Sequence, residues 1–226
     1  MKILGFSDHA PYRFPEGYYS NMRMYPGRLK DYVREVLAAR EAFRGRLDIP
    51  LGLEMEYYPK HWKDTLSMVR DAGIEYLLLG QHWCGNEMGQ PYNGRPTQRE
   101  EDLARYCNQV MDAMQTGLFT YLAHPDLIHY TGSDRVYRSH MARLCREAKS
   151  CGVPLEINLL GLATNRHYPN VRFWETVAEE NCPVVIGADA HAPEAFANPE
   201  PEARAREMIA RFGLDLRETL ELRSIR

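Results

Sequence analysis

The chain has 226 residues, a formal net charge of −3 and a pI near 6.3. That is one large domain with a sizeable core, and no basic footprint for nucleic acid or for an anionic membrane surface. Its 44% hydrophobic and 26% charged residues are ordinary for a globular protein, and no apolar run approaches the roughly 20 residues that span a bilayer.

The predicted elements alternate from the start. Lys2–Phe6 reads as a strand that ends at Ser7-Asp8-His9. Pro11, Pro15, Gly17 and Pro26 keep the next stretch irregular, and its aromatics, Tyr12, Phe14, Tyr18, Tyr19 and Tyr25, suggest a packed lid. Arg28–Phe43 reads as a helix, with Leu29, Tyr32, Val33, Val36 and Leu37 at helical spacing. A strand through Leu53 runs into Glu54, a helix over His61–Ala72 follows, and Tyr76–Gly80 runs into Gln81-His82. Gln81–Pro96 is a second long loop, and Thr97-x-x-Glu100 is a capping-box pattern opening a helix to about Thr116. The strand Leu118–Ala123 ends at His124, and a helix spans Asp134–Cys151. Val153–Asn158 carries Glu156, Leu159–Asn170 reads as a third loop, and Val171–Glu180 as a helix. Val184–Ala188 leads to Asp189 and His191, Pro201–Phe212 closes as a helix, and the tail from Leu214 is ambiguous.

Six strand candidates thus each end in a His, Glu or Asp. Closing a parallel sheet brings those ends together, at the face where α/β barrels keep their chemistry. Imidazole and carboxylate in that position suit zinc, manganese or iron. An open doubly wound sheet is the alternative, but it wants a glycine-rich phosphate loop after the first strand, and G-F-S-D-H is not one. The five cysteines show no C-x-x-C spacing, which fits a reducing cytoplasm and argues against a cysteine zinc site.

The motifs F-S-D-H-A-P at 6–11, G-L-E-M-E-Y-Y-P at 52–59, G-Q-H-W at 80–83, A-H-P-D-L-I at 123–128, L-E-I-N at 155–158 and G-A-D-A-H-A-P-E at 187–194 together resemble the PHP (polymerase and histidinol phosphatase) superfamily. Within it the chain looks like the histidinol-phosphate phosphatases. The resemblance implies a single domain over 1–226, a distorted barrel of seven β/α units. It implies up to three divalent metals and hydrolysis of a phosphomonoester by a hydroxide generated on the metal. The family's ligands fall on His9, Glu54, His82, His124, Asp189 and His191, with Glu54 shared between two metals. Arg166, ahead of Tyr168-Pro169, matches a basic residue of the family and is the candidate to fork across phosphate oxygens.

The family opens with a further strand carrying H-x-H, and the segment matching it is not in this sequence. Six β/α units are therefore expected, from an upstream start or a shortened relative, with fewer metals than in the family. Association of copies across the sheet edges is a further expectation. Glu56 points the same way as Glu54, and Asp8 and Asp126 are expected to orient neighbouring histidines. His129 is a weaker candidate to protonate the leaving alcohol. His61, His140 and His167 read as surface residues. The expected function is a cytoplasmic phosphatase of histidine biosynthesis. A phosphoesterase for a nucleotide or sugar phosphate, or a non-catalytic metal-binding relative, are the alternatives.

Overall fold

In the computed structural model, which describes residues 2–15 and 17–225, six strands form one parallel sheet in the order of the sequence. They are β1 (Gly52–Met55), β2 (Tyr76–Leu79), β3 (Phe119–Leu122), β4 (Leu155–Asn158), β5 (Pro183–Gly187) and β6 (Asp215–Leu216). The helices are α1 (Leu29–Ala42), α2 (Trp62–Asp71), α3 (Glu100–Gln115), α4 (Asp134–Ser150), α5 (Leu159–Ala163), α6 (Val171–Glu180) and α7 (Glu200–Phe212). A doubly wound sheet reverses its strand order part-way. This one never does, and crossovers that follow the general right-handed rule would put the helices on one face, as in a barrel. Among the described residues β1 and β6 do not pair with each other.

Buried apolar stripes explain why the helices sit where they do. In α4, Tyr137, Met141, Leu144, Cys145 and Ala148 recur at three- and four-residue spacing and are all buried. In α6, Phe173, Trp174 and Val177 do the same. On β1, Leu53 and Met55 are fully buried in the core, and Glu54 takes the opposite side.

Three local expectations change. Lys2–Phe6 is no regular strand: it runs parallel to β1 through isolated bridges, Ile3 to Asp48, Phe6 to Leu51 and His9 to Glu54. Its exposed Ile3 shows that one side lacks a neighbour to bury apolar surface against. The capping box does not form, because Arg99 takes the cap position without a side-chain bond. Thr97 Oγ1 lies 2.8 Å from Asp102 Oδ2 instead and accepts from the Arg99 N–H. The Leu159–Asn170 loop contains α5, whose N-terminus is capped by Asn158 accepting from the Gly161 N–H at 2.8 Å.

The ambiguous tail supplies β6 and then crosses the N-terminal ends of the strands. Arg217 N–H donates to Val184 O, Arg223 N–H to Thr120 Oγ1, and Arg223 Nη2 to the carbonyls of Cys151 and Gly152. Ile225, fully buried, ends this strap beside Glu75. No described helix is long and apolar enough to cross a membrane.

Candidate metal centre

The C-terminal ends of the strands converge on Glu54. His124 Nε2 lies 2.9 Å from Glu54 Oε1, His82 Nε2 lies 3.8 Å from the same oxygen, and His9 Nδ1 lies 3.4 Å from Oε2. Glu54, His82 and His124 are buried. The His9 and His82 rings are 5.0 Å apart and the His82 and His124 rings 4.9 Å. Burial works against the Glu54 charge, but the His124 hydrogen bond and the surrounding imidazoles hold its pKa down to about 2. Burial likewise disfavours a charged His124, and the bond to Glu54 outweighs it and raises the imidazole to about 9.

Space for this carboxylate comes from Gly80. A Cβ there would sit 1.7 Å from Glu54 Oε1. The device recurs at Gly187, where a Cβ would sit 1.7 Å from Glu156 Oε1. Glu156 Oε2 accepts from the His124 backbone N–H at 2.8 Å and from Asn158 Nδ2 at 2.9 Å. Asn158 Nδ2 also reaches Asp189 Oδ2 at 3.0 Å, tying the β5 loop to the end of β4. His124 and Asp189 both have left-handed backbone, with φ of 31° and 46°.

The donor set fits a divalent cation. One ligand atom each from Glu54, His82 and His124 lie within 4.8 Å of one another, and so do those of His9, Glu56 and His82. Zinc–nitrogen bonds of 2.0–2.1 Å put tetrahedral ligand atoms about 3.3 Å apart. The 2.9 and 3.8 Å separations around Glu54 Oε1 bracket that spacing. His9 Nδ1 is buried without a hydrogen bond, with the Glu54 Oε2 oxygen standing off at 3.4 Å, a gap that a cation would complete.

Of the other anticipated residues, Asp189 is drawn to the edge of the cluster through Asn158. His191 is not brought into it: its side chain is 63% exposed, with Nδ1 3.0 Å from the Asp189 carbonyl. Arg166 is on the rim, donating to the Tyr168 hydroxyl at 2.5 Å, and the Tyr168 ring lies 5.8 Å from that of His124. His61, His140 and His167 are half-buried rather than on the open surface. His61 packs on Tyr12 and Phe14, His140 meets Glu100, and His167 stacks on His129 at 4.1 Å. Asn158, Arg23 and Glu87 are parts of the site that pattern reading misses. Asn158 alone left a signal, an Asn standing just before a short apolar helix.

Asp126, buried behind His124, accepts from the Asn170 N–H at 2.5 Å, yet burial pushes its carboxyl up from 3.8 to about 7. A carboxyl raised on folding holds an extra proton in the native state between those values, so its contribution to stability falls as pH rises from about 4 to 7. Asp126→Asn should therefore gain stability relative to wild type across that window, by up to about 4 kcal/mol. Denaturant melts of metal-free protein at pH 4.5 and 7.5 read this directly. Parallel pH profiles for the two proteins would sink it.

A protein of Deinococcus radiodurans named probable histidinol-phosphatase is 30% identical over 199 residues, which cover 84% of this chain and 75% of that one. This chain belongs to the histidinol-phosphatase family. The fold agrees. Histidinol phosphate phosphatase from Lactococcus lactis, solved with zinc, L-histidinol and phosphate, superimposes with a TM-score of 0.71 at 19% identity, over 100% of this chain and 86% of that one. HisK from Listeria monocytogenes gives 0.69 at 16% identity, over 87% and 86%. Likeness at such low identity speaks for a shared fold of the histidinol phosphatases. No family model matches the chain.

Proposed function

We propose that this histidinol-phosphatase homologue hydrolyses histidinol phosphate to histidinol and inorganic phosphate with bound divalent metal. The observation that carries this is the buried Glu54–His82–His124 trio, a three-ligand set of the kind that leaves a catalytic metal an open position. Family membership supplies the substrate. A second position beside the first would draw on the other oxygen of Glu54, which lies 3.4 Å from His9 Nδ1. Zinc is the first metal to test, with manganese and iron as the others. A bound cation there supplies Lewis acidity and a water acidified toward neutrality.

The chain's own residues do the rest. Glu54 brings a full negative charge into an imidazole-lined pocket. Asp189 and His191 stand at the mouth, on the loop after β5. Arg166, with its fork beside Tyr168 and the Asp189 charge nearby, is the candidate cation to grip the phosphate. Water is kept from the inner side by the buried walls of β1, β2 and β3.

The test is phosphate release from histidinol phosphate by zinc- and manganese-loaded protein, beside a nucleotide monophosphate and a sugar phosphate. A clear preference for histidinol phosphate is expected. Equal or greater turnover of the others moves the reading to a broader phosphoesterase, and no turnover of any defeats it. In the same assay Arg166→Ala should lower kcat/KM roughly 10- to 150-fold, the worth of one charge-assisted bond of about 1.5–3 kcal/mol. Unchanged kinetics would mean that another group holds the phosphate.

A further inference from the structure

Behind the metal centre lies a second buried cluster that the proposed reaction does not use. Arg23, on the irregular segment between Ala10 and Pro26, has a side chain only 2% exposed. Its Nη1 and Nη2 each donate at 2.8 Å to a different oxygen of Glu56. Its Nε and Nη2 donate to Glu87 Oε2 at 2.9 and 2.6 Å, and Nη1 also reaches the Ala10 carbonyl at 3.1 Å. Burying an arginine among two carboxylates costs several kcal/mol per ion in desolvation, a poor way to gain stability alone. The geometry suggests another return. The Glu56 oxygen that accepts from Arg23 Nη2 is also 3.0 Å from His82 Nδ1.

We infer that Arg23 is a positioning residue for the metal centre: its fork fixes the Glu56 carboxylate, and Glu56 fixes the ring of His82. With both Glu56 oxygens taken by Arg23, the carboxylate cannot rotate. His82 then donates Nδ1–H to Glu56 Oε1, which leaves the Nε2 lone pair directed at the Glu54 side. A histidine ligand needs its outer nitrogen held in this way, and a partner lost there costs about 10–100-fold in metal affinity. Lysine could supply the charge but not the fork. Glu87 has a separate part. It comes from the loop after β2, so Arg23 pins two loops, the 10–26 segment and Gln81–Pro96, to the end of β1. Arg23 and Ala10 are thereby held against the inner side of the site.

The inference rests on the metal-dependent reading above, and its test separates the two. Zinc affinity is measured by chelator competition for wild type, Arg23→Met, Arg23→Lys, Glu56→Gln and the double variant Arg23→Met/Glu56→Gln, with melting of each metal-free protein alongside. Arg23→Met should weaken zinc about 10–100-fold. Arg23→Lys should weaken it several-fold while remaining folded, and it carries the test if Arg23→Met does not fold. The double variant should bind zinc no more weakly than Glu56→Gln, because Arg23 acts through Glu56. Folded Arg23 variants with zinc affinity within twofold of wild type, whatever their melting points, overturn the inference and leave the function untouched. Losses that simply add in the double variant overturn it too. A wild-type protein that binds no zinc, manganese or iron defeats the metal-dependent reading itself.

Discussion

Glu54→Gln is expected to abolish hydrolysis and strip bound metal without unfolding the protein. Three imidazoles face this one carboxylate, at 2.9, 3.8 and 3.4 Å. Glutamine fills the same volume, so the walls of β1 and β2 have no reason to rearrange. It removes the charge that both proposed metal positions share and puts an amide N–H where a cation would lie. The loss should exceed the 10–100-fold typical of an outer partner and reach at least about 10³-fold in kcat/KM. Metal analysis of the purified variant should show the corresponding loss. Activity within about threefold of wild type would remove Glu54 from the centre.

The second large effect needs no change to any ligand. Gly80→Ala places a methyl group 1.7 Å from Glu54 Oε1 and 2.6 Å from its Cδ. The carboxylate must swing away by more than an ångström, into a pocket already occupied by His82 and His124. Misplacing a reacting group by about 1 Å can cost 10²-fold, and Gly80→Ala should lower kcat/KM at least that much, with weakened metal binding. Gly27→Ala is the control, since a Cβ there meets nothing within 4 Å. Kinetics of Gly80→Ala that match the control would show that Glu54 has room to retreat and still work.

How far the sequence could be read follows from the range of each interaction. The alternation of apolar runs and helical stripes is local. It therefore foretells the order of β1 to β5 and, residue for residue, Val171–Glu180. That the strand ends meet also follows, because a sheet in sequential order brings its C-terminal ends to one face. Glu54, His82, His124 and His9 come together on that ground. His191 does not, since it lies beyond the strand, on a loop whose path no periodicity governs. The Arg23 cluster was illegible for a related reason. Its partners are 33 and 64 residues away, and an arginine in a proline-interrupted loop looks like any solvated charge. The strap after β6 was hidden too, because a segment held mainly by backbone groups and guanidinium forks leaves no apolar pattern.

Left-handed backbone occurs at Asn165 and Asn181, a residue type that tolerates it, and also at two residues of the site, His124 and Asp189. Side chains other than glycine hold such φ values at a cost of order 1–3 kcal/mol each. Glycine would relieve the strain at either position, at the expense of the imidazole or the carboxylate. In a selection for thermal tolerance alone, these are the positions where fitter folders would arise as poorer catalysts. The trade between rigidity and turnover in this protein is thus written into two peptide units, and stabilising it without loss means working on the helices and leaving the strand ends alone.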